Sequence, residues 1–312
     1  MKVVVQPLPK DFDPPENGRS SVDSGSAGFE RRAHIKAFAG LSKARVLLEA
    51  RGHDREDLTP WATGFDPVDE CLPGRSLNRF GLHEIEPLRP THMPSLTGFA
   101  FGLLSRLRSS QPIIWCVTSA QVGEYGQLYA HGLQRYGISP SQIIFSKVHR
   151  PVHLHFALEE AIKTDGVAAV IGEGPRPTFT GSRRLSVLTR EYGRPCLLLG
   201  DGAKAAGGSA ALTRWQIAPC QGAEDPHDPF GPGIPTWWVS LPRVRGGRAS
   251  LSMEPSSPPA ITTNQKHNIN QSPWRIVWDD QTLRFHSASL FRHGTVPTRH
   301  PAFRGPSKTM VG

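Results

Sequence analysis

The chain reads as an α/β protein built on a mainly parallel sheet with an antiparallel C-terminal extension. Three observations predict this. Ile113–Val117, Val167–Ile171 and Cys196–Leu199 are short runs that are apolar throughout, as expected of strands covered on both faces. Amphipathic helical patterns of roughly 10–15 residues separate them, the signature of strand–helix–strand units. Beyond Thr213, strand-like segments follow one another with no helical pattern between them, which favours antiparallel pairing.

Element by element, Phe80–Ile85 predicts the first strand, and Leu96, Phe99, Ala100, Leu103, Leu104 and Leu107 mark one face of the helix after it. Pro112 opens the strand Ile113–Val117. Tyr125, Leu128, Tyr129, Leu133 and Tyr136 then predict a second amphipathic helix ended by Gly137. The alternation continues through a strand at Ile143–Phe145, a helix over Leu154–Lys163, the strand Val167–Ile171, a helix around Leu185, Leu188 and Tyr192, and the strand Cys196–Leu199. Arg214–Ala218, Trp237–Leu241, Ala249–Met253, Trp274–Trp278 and Leu283–His286 are the expected antiparallel strands. The Pro/Gly-rich stretch 219–235 and the Ser/Asn/Gln-rich stretch 254–273 read as surface loops.

Composition sets the outer limits. At 312 residues the chain supports one substantial core with appendages, and no apolar run approaches the ~20 residues of a membrane span. The short run at Val3–Val5 is ended by Gln6 and Pro7 before it reaches signal-peptide length, so cytoplasmic residence is expected. Cys71, Cys116, Cys196 and Cys220 form no C-x-x-C pair and read as reduced thiols. The net charge is +9, and after Asp280 there is no acidic residue while Arg284, Arg292, Arg299, Arg304 and Lys308 are all basic. Such a tail suits nucleic acid or an acidic partner. Residues 1–27 lack an apolar period and read as a disordered or extended arm, and Glu30–Arg51 as one or two amphipathic helices.

Between the first strand and its helix, a nucleotide-binding α/β protein carries a phosphate loop. That loop needs small residues whose N–H groups close on phosphate, a Lys, and a Ser/Thr hydroxyl for magnesium. Here the segment Glu86–Ala100 holds Pro87, Pro90 and Pro94, which remove donors, and Arg89 in place of Lys. Arg89, Thr91, Ser95, Thr97 and Gly98 therefore form a degenerate nucleotide site, and no intact phosphate loop is expected.

Thr63–Asp69, Leu72-Pro73-Gly74 and Leu82–Ile85, followed by Trp115–Gly172, resemble RecA and its relatives over about half the chain. Leu82-His83-Glu84, Gly98-Phe99-Ala100, Gly126–Leu133, Ala157–Ala161, Ser182–Leu185, Thr213-Arg214-Trp215 and Arg243–Gly247 resemble the ImuA family of bacterial damage-inducible mutagenesis proteins, from about Thr63 to Arg248. The resemblance implies a RecA-like three-layer sandwich at 61–248, preceded by an arm at 1–60 and followed by C-terminal strands and a basic tail at 249–312. It implies an accessory factor of SOS-induced mutagenic translesion synthesis, not an enzyme. Its implied partners are an ImuB-type inactive Y-family polymerase relative, RecA, an error-prone C-family DNA polymerase and DNA itself, with recruitment to the nucleoid. At the two other RecA ATPase positions this chain has Ser119-Ala120-Gln121 after the second strand, and Gly172 with Glu173 nearby at the end of the fourth. No cofactor is expected. The rival reading is a SulA-like division inhibitor that binds FtsZ, and a residual nucleotide-binding ATPase ranks below it.

Candidate DNA or partner contacts are Arg183 and Arg184 at the start of a helix, Arg214, and Arg243, Arg245 and Arg248 around the Gly246-Gly247 turn, where close backbone approach to a phosphate is feasible. The alternative is structural use, with Arg at a sheet edge or paired to Glu191. His149, His153 and His155 straddle Pro151 and read as surface or capping histidines, and Glu159-Glu160 as a solvated helix face.

Overall fold

A computed structural model of the chain describes residues 60–202, 208–222, 231, 233–251, 253 and 273–288. The expected N-terminal arm and most of the basic tail lie outside the described residues. After the short helix α1 (Asp66–Asp69) come β1 (Leu82–Pro87), α2 (Met93–Ser105), β2 (Ile113–Thr118), α3 (Ser119–Tyr125), α4 (Ala130–Gln134), β3 (Ile143–Val148), α5 (Pro151–Lys163), β4 (Ala169–Glu173), α6 (Phe179–Glu191) and β5 (Cys196–Leu199). The chain then runs through β6 (Thr213–Pro219), β7 (Thr236–Val244), β8 (Trp274–Asp279) and β9 (Arg284–Ser287). These strands form one sheet in the order β3-β2-β4-β5-β1-β6-β7-β8-β9. Pairing is parallel from β3 to β6 and antiparallel from β6 to β9.

The α/β architecture is as the sequence predicts, and both faces of the sheet are covered. On one face α2 lays Leu96, Phe99, Ala100, Leu103 and Leu104 against Trp115, Trp215, Trp278 and Phe285, all buried. On the other, Leu154, Leu158 and Ile162 of α5 and Leu185 of α6 cover Leu82, Ile114, Cys116 and Val170. Burying such aliphatic and aromatic side chains contributes about 1.5–3 kcal/mol each. All four cysteines are free thiols, and burial pushes Cys116 up to about 12. Among the described residues, no helix is long and apolar enough to cross a membrane.

Three local expectations change. The helix read through Tyr125–Tyr136 is two short ones, because Gly126 adopts φ +83° and stops α3. β6 belongs to the parallel set, with Glu84 opposite Arg214. The β5–β6 connection carries the chain to the far side of β1, and residues 208–211 need no helix because Ala210 N–H is held by Ser182 Oγ (3.1 Å). Ala249–Met253 is no strand where described. Ser250 exchanges bonds with Leu241, and Met253 N–H donates to Gln216 Oε1 (2.6 Å), so side chains take the place of a ladder.

Candidate interaction surfaces and the turn after the first strand

β1 leads into the turn at residues 88–92. Leu88 N–H is tied to Ile217 O (2.8 Å), and a 3₁₀ turn, Pro90–His92, leads directly into α2 with Pro94 in its first turn. Neighbours of the turn hold it. Tyr125 Oη donates to Pro90 O (3.3 Å), and a Cβ on Gly202 would lie 3.2 Å from Pro90 Cα. Of the predicted site residues, Arg89 and Thr91 are exposed. Ser95 Oγ donates to His92 O (2.7 Å), and Ser95 O accepts from Trp237 Nε1 (2.9 Å). Thr97 and Gly98 face a cavity, with Gly98 against Tyr136 Oη. Ser95 and Gly98 thus meet at Trp237 and Thr97 shares the cavity with Gly98, whereas Arg89 and Thr91 stand apart in solvent. Glu173 closes β4, where Trp115 Nε1 donates to its Oε2 (2.9 Å) and burial raises its carboxyl above the usual range.

On the face covered by α5 and α6, the register sets Glu84, Arg214 and Arg243 side by side on β1, β6 and β7. Glu84 is 2% exposed. Arg214 reaches its Oε2 through Nε (3.0 Å) and Nη2 (2.9 Å), and Ser209 Oγ donates to Oε1. Arg214 Nε also lies 3.2 Å from Glu86 Oε1, and Arg176 pairs with Glu86 from the β4–α6 loop. Forked pairing of this kind is strong and directional. Burial, then the neighbouring Arg214 and Arg245, hold Arg243 below the usual guanidinium range.

The opposite face of β1 carries His83, which is fully buried. Asn78 O only accepts, so His83 Nε2 carries the hydrogen (2.9 Å) and Nδ1 accepts from Thr213 Oγ1 (2.8 Å), which in turn accepts from Trp215 Nε1 (2.9 Å). The ring is neutral, and burial pushes it down to about 4.

The Gly-Gly turn after β7 is exposed. Gly246 has φ +77°, and a Cβ on Gly247 would overlap Cys71 O, which accepts from Arg248 N–H (2.9 Å). The close backbone approach expected at these glycines is made to the chain's own first loop. The Thr-Gly-Phe-Asp-Pro-Val-Asp lead-in is structural as well: Asp69 accepts from Thr63 N–H and Oγ1 (both 2.8 Å) and from Gly64 N–H (3.0 Å).

No family model matches the chain. Protein ImuA of Caulobacter vibrioides is 31% identical to it over 198 residues, covering 59% of this chain and 78% of that protein, and the protein of the same name from a second strain matches equally. The chain belongs to the ImuA family. The match is to the family named by the first of the three functional readings of the sequence.

In this ImuA-family chain, α6 carries the other predicted arginines. Arg183, Arg184 and Arg190 are exposed. Arg184 pairs with Glu159 of α5 (2.7 Å) and not with Glu191. That pairing buries Glu159, correcting its reading as part of a solvated face, because the groove between α5 and α6 closes over it. Glu160 pairs with Lys163 (2.8 Å). Arg194 braces the end of α5 through Ile162 O (2.9 Å) and Asp165 (2.6 Å). His149 meets Ser119 Oγ (3.2 Å), and burial lowers His155. Among the described residues, no three His, Cys, Asp or Glu side chains gather to hold a metal. Glu86 and Arg176 escaped the sequence reading, and Glu84 entered it only within the Leu82-His83-Glu84 segment and not as a site residue. Their signal was the pair of carboxylates at alternate positions in a strand that is otherwise apolar on that face.

Proposed function

We propose that this ImuA-family chain is a non-catalytic accessory factor of damage-induced mutagenic translesion DNA synthesis. It recruits or modulates an error-prone polymerase complex. In this reading its partners are an ImuB-type inactive Y-family polymerase relative and RecA, with an error-prone C-family polymerase in the same assembly and DNA as a further contact. The observation that carries the proposal is the β1–α2 turn. At the place of a phosphate loop, Pro90 and Pro94 remove N–H donors, and Tyr125 and Gly202 pack against the turn. Phosphoryl transfer depends on several charged groups acting together, and support for the adaptor role comes from Arg89 and Thr91 standing in solvent while Ser95, Thr97 and Gly98 pack around Trp237 and the aromatic cavity.

The test is binding of the fluorescently labelled protein to RecA-coated single-stranded DNA and to bare DNA at the same salt. Saturable preference for the coated strand is the expected result. Equal binding to both would reduce the protein to a plain DNA binder. ATP hydrolysis by the purified protein that disappears in Arg89→Ala would overturn the non-catalytic assignment.

A further inference from the structure

Between the first half of α2, the α3–α4 connection and the ends of β2–β4 lies a cavity of about 230 Å³. That is below the ~300–1,000 Å³ of most small-molecule sites and suits a single side chain. Its walls include Phe101, Tyr125, Tyr129, Tyr136 and Phe145, with Glu173 among them, and among the described residues no Lys, Arg or His lines it. Phe101 and Tyr136 are packed at 5.8 Å and nearly buried, whereas Tyr129 is 72% exposed. Glu173 uses Oε2 for Trp115 and remains part of the cavity wall.

At its Tyr125 end the surroundings are negative in a chain whose net charge is +9, and Lys147 lies on the far side, beside Val117 in the register of β2 and β3. After burial, the charges acting on Tyr125 are Glu124, Asp201 and Glu173, all of which raise it. Arg135, next to Tyr136, is turned to Asp280 (3.3 Å), and His131 stacks on Tyr129 at 5.2 Å. Aromatic faces attract cations, and a guanidinium both stacks on rings and pairs with a carboxylate. A phosphate would meet neither.

We infer that this cavity is a recognition pocket for an arginine side chain presented by a partner protein, with Glu173 as its counter-ion and the tyrosines as its stacking walls. Charge complementarity identifies the occupant: elsewhere the chain is basic and repels a basic segment, and here it offers a carboxylate among rings. The choice of a partner protein as the source rests on the adaptor reading, while the pocket itself does not.

The test uses the full chain and ligand-observed NMR, with N-acetyl-arginine amide as probe and the neutral isostere N-acetyl-citrulline amide beside it. Arginine binding about tenfold tighter than citrulline is expected, as is loss of that difference in Glu173→Gln. Tyr129→Ala, at an exposed position, weakens the arginine probe severalfold while the circular dichroism is unchanged. Equal binding of the two probes, or full arginine affinity in Glu173→Gln, would overturn the pocket. Displacement of the probe by ATP would do the same. A chain ending at residue 288 that binds the probe about tenfold more tightly would assign the pocket to the chain's own basic tail and overturn the partner assignment. No partner protein enters these measurements, so they fail independently of the RecA-filament experiment.

Discussion

The polar residues of β1 and the arginines of α6 both stand out in the sequence as charge near an apolar pattern, yet the fold uses them in opposite ways. Glu84 and His83 are buried at 2% and 1% exposure, and every hydrogen-bonding atom described above on them has a named partner. On α6, Arg184 keeps 62% of its side chain in solvent, and Arg183 and Arg190 are exposed. The difference is positional. β1 lies inside the sheet between β5 and β6, so any charge on it must be answered from within, whereas the outer side of α6 meets water. Arg214, although predicted alongside Arg183 and Arg184, belongs with β1.

The largest test of that contrast is Glu84→Ala, which leaves Arg214 only its longer contact to Glu86 and removes the acceptor of Ser209 Oγ. It should cost about 4 kcal/mol in urea unfolding, and a double-mutant cycle with Arg214→Ala should show strong coupling. A cost below about 1 kcal/mol would mean that Arg214 is as solvated as the α6 arginines. Next is pH. His83 is neutral when folded and its pKa is lowered from 6.5 to about 4, so its contribution is whole above pH 6.5 and disappears as pH falls towards 4. The loss amounts to about 3 kcal/mol, and His83→Gln should flatten stability measured across that window.

Arg214→Lys keeps the charge but loses the fork to Glu84 and Glu86, for an expected loss of about 1.5 kcal/mol by the same assay. The smallest effects belong to α6. Arg184→Ala should cost about 1 kcal/mol, because Arg184 is exposed but the Glu159 it pairs with is buried, and Arg183→Glu less. If α6 contacts DNA, Arg183→Glu instead weakens DNA binding and flattens its salt dependence, which fluorescence anisotropy at two salt concentrations would detect.

Legibility follows the range of the interaction. The apolar face of α2 was readable because its spacing of three and four is local, and each of Leu96, Phe99, Ala100, Leu103 and Leu104 is buried. The strands Ile113–Thr118 and Cys196–Leu199 were readable as continuous apolar runs for the same reason. The break at Gly126 was not, since Tyr125 and Leu133 pack against the core from two short helices, with Leu128 in the connection between them, as well as they would from one. Glu159 looked solvated because α6, which closes over it, lies about a helix and a strand further along the chain.

What the sequence determined by itself is the alternation of elements, the apolar faces they bury, and the prolines and Arg89 that stand between the first strand and its helix. All are properties of neighbouring residues, governed by backbone geometry and side-chain chemistry. Only the tertiary structure decided that β6 joins the parallel set beside β1, that Arg214 is committed to Glu84, and that five aromatic residues line one cavity with Glu173. Those outcomes depend on strand register and on packing between segments distant in the chain, where the cost of an unpaired buried charge selects one arrangement over the others.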